Sequence, residues 1–168
     1  MQNLYANNYI FENFDQETSK SWTFISDQVM GGVSFGKYNH INDNNNSYIR
    51  LSGFVSLENN GGFIQVKKET AGKEEKLQKG IKVRLRGNNQ YYFIHLRTKF
   101  TLLPWQYYQS KMFASEKWNL SDLKLSTFKR SGFMLPKKIN PRYITSLAIV
   151  AYGREHRVNV DVDEIIFY

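Results

Sequence analysis

Apolar and polar residues alternate along several segments of this chain with the two-residue period of a β-strand. In one segment, Ile81, Val83 and Leu85 alternate with Lys82 and Arg84. Because successive side chains of a strand point to opposite faces, this pattern predicts an antiparallel strand with one buried face and one cationic face. Valines alternate with polar residues near the end of the chain and predict a closing strand.

Residues 51–67 contain two apolar, β-prone runs on either side of a polar turn. The turn has the sequence Glu58-Asn59-Asn60-Gly61-Gly62. Asn and Gly tolerate a positive φ better than other residues, and tight reversals require it. An Asn-Gly step between two apolar runs is a strong signal for a β-hairpin. We therefore predict a central hairpin here.

About nine or ten short strands can be counted between turn signals, and no long amphipathic helix is present. Aromatic residues make up 15% of the chain, and they suit the half-buried surface of a sheet. The pattern predicts an all-β protein, a sandwich or a barrel. No internal repeat or composition change divides it. We expect a single domain over residues 1–168, with 1–20 as a lead-in segment, 21–168 as the β-sandwich and 39–47 as an exposed Asn-rich loop.

Several kinds of chemistry lack their usual residues. The chain has no cysteine, which excludes disulfides and thiolate metal sites. None of the three histidines, at His40, His95 and His156, lies near a nucleophile motif or in a metal-binding spacing. Asp161, Asp163 and Glu164 could offer oxygens to calcium, but the alternation of this segment favours a solvated strand face. We therefore expect a non-enzymatic protein with no metal and no cofactor.

Targeting signals are also missing from the sequence. No apolar run approaches the length of a bilayer span. Residues 1–16 contain neither a basic segment followed by an apolar one nor the Arg-rich character of a transit peptide. These features lead us to expect a cytoplasmic protein without a membrane span.

The whole chain has a net charge of +8, and its positive charge is concentrated in the middle of the sequence. Residues 87–142 hold ten basic and two acidic side chains, whereas residues 1–66 hold three basic and six acidic ones. This asymmetry indicates an acidic partner, a nucleic acid or an anionic membrane surface, although a solvated face would carry the same charges. The candidate cationic partner face consists of Arg84, Arg86, Lys129 and Arg130.

Aromatic residues leave two further kinds of ligand open. Sugar binding uses exposed rings beside polar groups, and Trp105, Tyr107 and Trp118 are candidates for such contacts. Trp105, Tyr107 and Tyr108 could also stack on the bases of a single-stranded nucleic acid. The pattern of an RNA-recognition motif is absent, which makes nucleic acid the weaker alternative.

Two glycine-containing motifs together carry a family resemblance. After Trp22 the chain reads DQVMGGVS over Asp27–Ser34 and then GFVSLENNGGF over Gly53–Phe63. In this order the motifs resemble those of the 30-kilodalton complex I intermediate-associated protein family, and the likeness extends from about residue 20 to 168. Two loops depart from the family pattern: Gly87-Asn88-Asn89 replaces a Gly-Asp-Gly step, and Ser131 separates Arg130 from Gly132.

The resemblance implies both a fold and a function. The fold of the family is similar to galactose-binding-like jelly-roll sandwiches. Mitochondrial members assist assembly of respiratory NADH:ubiquinone oxidoreductase, which implies a chaperone-like protein that binds subunits of a membrane-associated complex. Without a transit peptide, the chain fits a bacterial, cytosolic member better. We expect the two motifs to shape a binding loop face, made of Asp27, Met30, Gly31, Gly32, Ser34, Glu58, Asn59, Asn60, Gly61 and Gly62.

Overall fold

A computed structural model describes residues 8–15, 17–70 and 78–168, and these residues form twelve β-strands. The strands fall into two antiparallel sheets of six strands each. Their bounds are β1 Tyr9–Glu12, β2 Thr23–Ser26, β3 Phe35–Asp43, β4 Asn46–Val55, β5 Phe63–Glu69, β6 Gly80–Gly87, β7 Gln90–Thr98, β8 Tyr108–Ala114, β9 Asn119–Lys124, β10 Lys129–Arg130, β11 Ile144–Tyr152 and β12 His156–Phe167.

The first sheet, sheet A, has the order β3-β4-β12-β6-β9. β1 pairs with the last residues of β12, Ile165 to Phe167, which follow the pairing of Val162 with Ile49 of β4. The second sheet, sheet B, has the order β10-β8-β7-β11-β5-β2. The two central strands, β12 and β11, are consecutive in the chain, yet they belong to different sheets. This arrangement confirms the all-β jelly-roll sandwich, with twelve strands rather than nine or ten, because β1 and β10 are too short to leave a periodic signal.

The inner faces of the two sheets form the core. Ile81, Val83 and Leu85 of β6 are fully buried, as the alternation predicts, and Ile94 and Leu96 of β7 meet them from sheet B. Burying a side chain of this size contributes about 1.5–3 kcal/mol to stability. Lys82, Arg84 and Arg86 consequently lie on the outer face of sheet A.

The predicted hairpin at 51–67 is wrong in its pairing. β4 lies in sheet A beside β3 and β12, whereas β5 lies in sheet B beside β2 and β11. Residues 56–62 therefore connect the two sheets, through a short 3₁₀ turn at Glu58–Asn60. The local pattern indicates a reversal, and Asn59 and Asn60 have positive φ values of 56° and 57°. It does not identify which strand each arm pairs with.

A two-residue hairpin occurs instead within the predicted Asn-rich loop. β3 and β4 pair along their whole length from Asp43↔Asn46 to Phe35↔Phe54. Asn44 and Asn45 join them with φ values of 43° and 77°. Positive φ at both central residues is the requirement of the tight turns that match the twist of paired strands.

The lead-in segment contributes a structural ion pair. Glu12 at the end of β1 is buried, accepts a hydrogen bond from the Trp22 indole Nε1 at 2.9 Å and contacts the Lys68 ammonium at 2.7 Å. The position of Trp22 is thus fixed by groups from β1 and β5. No helix among residues 8–15, 17–70 and 78–168 is long and apolar enough to cross a membrane.

Candidate functional site

The carboxylate of Asp27 joins the two glycine motifs. It is fully buried and accepts hydrogen bonds from the Ser34 amide at 3.0 Å and the Ser34 hydroxyl at 2.5 Å. From the second motif, it accepts hydrogen bonds from the amides of Gly62 at 2.5 Å and Phe63 at 3.3 Å. Burial alone would raise the pKa of Asp27, but these hydrogen bonds more than offset it and hold the pKa below its usual value.

The glycines of the two motifs make room for this carboxylate. A Cβ at Gly32 would lie 2.4 Å from the Asp27 Cγ, and a Cβ at Gly61 would lie 2.4 Å from its Oδ2. Gly31 ends the 3₁₀ turn Asp27–Met30 with a φ of 87°. Asp27, Gly32, Ser34 and Gly62 are therefore parts of a buried joint, which holds the remaining loop residues in place.

Exposed residues of the predicted loop face surround that joint. Met30, Glu58, Asn59 and Asn60 are open to solvent. Other exposed apolar side chains lie on or beside the same loops, namely Val29, Val33, Phe35, Phe54 and Leu57. The structure thus brings the ten predicted loop residues together and adds an apolar border to them.

The outer face of sheet A carries arginines that are paired with buried acids. Arg86 donates to the Asp161 carboxylate at 2.9 Å, and Arg50 donates to its other oxygen at 2.7 Å. Arg84 contacts Asp163 at 2.9 Å. The Trp118 ring lies 4.7 Å from the guanidinium carbon of Arg86. Because Asp161 and Asp163 are buried under these groups, they are not the solvated strand face that the alternation indicates.

Asp163 is incompletely satisfied in this network. Both of its carboxylate oxygens are buried and have no aligned hydrogen-bond donor in the described part of the chain, although Arg84 is within ion-pair distance. Burial raises the pKa of Asp163, and the charge of Arg84 together with the nearby Asn46 side chain offsets only part of that rise. No group of three or more His, Asp and Glu side chains among the described residues could hold a metal ion.

The four residues of the predicted cationic face do not share one surface. Arg84 and Arg86 lie on β6 in sheet A, whereas Lys129 and Arg130 form β10 at the edge of sheet B. Arg130 is engaged with the backbone and donates to the carbonyls of Phe133 and Leu135. The aromatic candidates are separated as well, because Trp118 packs against the arginines of sheet A, while Trp105 and Tyr107 precede β8 of sheet B.

The outer face of sheet B carries a continuous group of aromatic rings, which we call the aromatic face. The Tyr107 ring stacks on His95 with centroids 4.0 Å apart, and Tyr152 packs edge-on against both Phe93 and His95. The Tyr152 hydroxyl donates to the Gln109 side chain at 2.7 Å. Farther along β7 and β8, Tyr91 packs against Phe113.

His95 is an unusual member of the aromatic face. It is buried, and its Nε2 has no hydrogen-bond partner within residues 8–15, 17–70 and 78–168. Burial lowers the pKa of His95 to about 3, which keeps the ring neutral at physiological pH. Because His95 Nε2 is covered, the polar groups that this surface offers are the Gln109 amide and the tyrosine hydroxyls, and beside flat rings they suit a polar ligand with flat apolar faces.

Sequence reasoning identifies Tyr107 of this surface but misses Phe93, His95, Gln109 and Tyr152. A usable signal is present in β7, where Tyr92, Ile94 and Leu96 belong to the core, so that the intervening Phe93 and His95 must face outward. The apolar character of both faces conceals that alternation. The contribution of Tyr152 depends on the pairing of β11 with β7, which the sequence pattern does not contain.

Several solved structures that share this architecture are carbohydrate-binding modules. The family 11 module of a cellulosomal cellulase of Clostridium thermocellum has a TM-score of 0.74 and 12% identity, over 95% of this chain and 93% of that one. The same module in complex with a β-1,3-1,4-mixed-linked tetrasaccharide has a TM-score of 0.74 and 12% identity, over 95% of this chain and 94% of that one. A family 30 carbohydrate-binding module has a TM-score of 0.54 and 12% identity, over 82% of this chain and 74% of that one. At these identities the likeness shows a common fold alone.

No curated protein matches the sequence. The sequence motifs joined by Asp27, in contrast, fall within a long match to a protein family. Residues 11–160 match the family described as complex I intermediate-associated protein 30, a range that contains both glycine motifs and all the surfaces described above except part of β12. The chain therefore belongs to the complex I intermediate-associated protein 30 family.

Proposed function

We propose that this protein is a non-enzymatic, chaperone-like assembly factor that binds a subunit of a membrane-associated respiratory complex through its loop face. The observation that carries this proposal is the pair of loops joined by Asp27, which hold exposed apolar side chains on a fixed support. Family membership supports an assembly-related role. The partner would be a protein, and the chain would act from the cytoplasm.

Exposed Val29 and Met30 follow Asp27 directly, and Leu57 borders the second motif. Because the joint fixes both loops before binding, little conformational entropy is lost when these side chains are covered. Burying each of them in a partner would contribute about 1.5–3 kcal/mol. Cationic side chains elsewhere would mainly raise the rate of encounter with an acidic partner.

The test is a pull-down with tagged protein from the native host in mild detergent. We expect recovery of respiratory-complex subunits by the wild type and strongly reduced recovery by a variant with Val29→Asp and Met30→Asp. Leu120→Asp serves as the matched control, because Leu120 is also an exposed apolar residue but lies on β9, away from the loop face. Equal recovery by the two variants would contradict the proposed surface. Cell fractionation of the same host tests the cytoplasmic location.

A second candidate function is carbohydrate binding by the aromatic face. The observation that favours it is the group of half-buried rings Phe93, Tyr107 and Tyr152 packed around His95, on a fold shared with modules that bind sugars. Aromatic rings stack on the apolar faces of pyranose rings, while Gln109 and the tyrosine hydroxyls are available to sugar hydroxyls.

Calorimetric titration with a β-1,3-1,4-mixed-linked tetrasaccharide and a wider glycan panel would test this second function. We expect Tyr152→Ala to abolish any sugar binding and Trp118→Ala, on the opposite sheet, to leave it intact. If no sugar binds to the wild type, the aromatic face is not a carbohydrate site. The proposal of a protein partner at the loop face would be unaffected by that result.

A further inference from the structure

Two loops at one end of sheet B carry four strongly exposed apolar side chains. The loop between β7 and β8 contains Leu102, which is 82% exposed, and Trp105, which is 66% exposed. The loop between β10 and β11 contains Phe133 and Met134, which are 86% and 78% exposed. None of these residues belongs to the loop face or the aromatic face. We call the segments 99–107 and 131–143 the basic loops.

Hydrogen bonds hold the basic loops together as one surface. The Ser131 amide donates to the Tyr107 carbonyl at 2.8 Å, and the Ser131 hydroxyl donates to the Trp105 carbonyl at 3.0 Å. Arg97 donates to the carbonyls of Thr101 and Leu103 at 2.8 and 3.1 Å. The apolar side chains therefore project from an ordered support, and their exposure does not result from a loosely held loop.

Basic residues surround these side chains and acidic residues are missing from the neighbouring sequence. Neither residues 97–115 nor residues 123–154 contain an Asp or a Glu. Six cationic side chains lie in or beside the basic loops, namely Lys99, Lys129, Arg130, Lys137, Lys138 and Arg142. None of these six forms an ion pair with a carboxylate in the part of the chain that the structure describes. The two loops thus expose large apolar side chains, carry several cations and contain no acidic residue.

We propose that the basic loops dock this protein on an anionic lipid bilayer, with Leu102, Trp105, Phe133 and Met134 inserted at the interface. Stable but reversible membrane attachment requires two signals together, and here they are apolar insertion and a polybasic border. Tryptophan is also favoured at the level of lipid headgroups. An acidic protein would require carboxylates matched to the cations, but would not by itself explain the two protruding apolar pairs.

This inference goes beyond the proposed function, because it concerns a different surface and a different partner. Its test is flotation of the purified full chain with vesicles of phosphatidylcholine, with and without phosphatidylserine. We expect binding to the vesicles that contain phosphatidylserine, weakening as salt is raised. Equal binding to vesicles without the anionic lipid, or no binding to either, would overturn the proposal.

Matched variants identify the surface. Phe133→Asp together with Met134→Asp should lower the affinity for anionic vesicles by at least about tenfold. Val29→Asp together with Met30→Asp is the control, since those residues are 73% and 63% exposed and lie at the loop face and its apolar border. The control should bind like the wild type. Equal losses in both variants, or no loss in the first, would overturn the proposal. All four residues are exposed, so both variants should melt like the wild type.

Tryptophan fluorescence supplies a second readout. Trp22 is buried, so a Trp118→Phe variant leaves Trp105 as the exposed fluorophore. Anionic vesicles should shift its emission to the blue, and an unchanged spectrum would contradict insertion. A soluble polyanion such as polyglutamate or RNA distinguishes simple charge attraction. The lipid proposal fails if either polyanion binds the wild type as tightly as the vesicles do and binds the double variant with Phe133→Asp and Met134→Asp equally well.

Discussion

At the scale of single residues, the Asp27 carboxylate determines how closely two loops approach each other. Four hydrogen bonds reach it from Ser34, Gly62 and Phe63, and glycines occupy the positions where a Cβ would collide with it. The backbone conformations differ among these glycines. Gly31 has a φ of 87°, whereas Gly61 has a φ of −76° and is constrained mainly by the Asp27 carboxylate, with the Glu58 carbonyl oxygen 3.1 Å from the position of a Cβ.

Gly61→Ala should therefore destabilise the protein through a steric conflict with Asp27. The new Cβ would lie 2.4 Å from Oδ2, and relief of such a conflict typically costs about 1–3 kcal/mol. Gly132→Ala is the control, because a Cβ there meets nothing within 4 Å. Urea denaturation of both variants measures the difference. If Gly61→Ala unfolds at the same urea concentration as Gly132→Ala, the close approach at Asp27 is not a constraint.

Asp27→Asn should also destabilise the protein, and its effect should depend on pH. The amide would direct a donor at backbone N–H groups, and a buried unsatisfied group costs about 1–3 kcal/mol. The folded pKa of Asp27 lies below its ordinary value of 3.8, so the carboxylate contributes stability above that pH and loses it as the pH falls through the folded pKa. The difference in unfolding free energy between variant and wild type should narrow below pH 3.8. A constant difference from neutral to strongly acidic pH would show that Asp27 does not stabilise the fold as a charged group.

At the scale of elements, turns are determined locally and strand partners are not. The all-β class and the inner face of β6 could be predicted from alternation, because both depend on neighbouring residues. The pairing of β4 with β12 and of β5 with β11 could not, because the paired residues are 101–113 and 77–89 positions apart in the chain. The same limit explains why His95 and Tyr152 could not be assigned to one surface before the pairing of β7 with β11 was known.

Asn45→Val should weaken the hairpin between β3 and β4. Asn45 has a φ of 77°, a conformation that costs a β-branched residue about 1–2 kcal/mol. Asn42→Val is the matched control, because Asn42 is exposed within β3, where valine is favoured. Thermal melting should show a lower midpoint for Asn45→Val only. Equal midpoints would indicate that the turn is not held in this conformation.

At the scale of the whole molecule, charge is distributed over surfaces with different tasks. The arginines of sheet A are paired with buried acids, whereas the cations of the basic loops form no ion pair with a carboxylate of the described residues. The net charge of +8 is thus a poor guide to any single site. The loop face, the aromatic face and the basic loops can be tested separately, since Tyr107 is the one residue that belongs to two of these sets.

Arg86→Leu should destabilise the fold because it removes one of the two arginines that compensate Asp161. Asp161 is almost completely buried while Arg86 is partly exposed, so we expect a cost of about 1–3 kcal/mol. Lys137→Leu, in the basic loops, should change stability by less than about 0.5 kcal/mol. Chemical denaturation compares the two. Similar unfolding midpoints would mean that the arginines of sheet A are available for a partner, as their sequence pattern alone indicates.

The order of the strands has a consequence for the protein during its synthesis. β12 pairs with β1, β4 and β6, all of which precede it in the chain, and β11 pairs with the earlier strands β5 and β7. The middle of each sheet is thus the part that the ribosome makes late. Until then β4 and β6 lack the strand that separates them, and their apolar faces and unpaired backbone edges are open to other chains. The nascent chain should therefore depend on cellular chaperones until the ribosome has delivered β12.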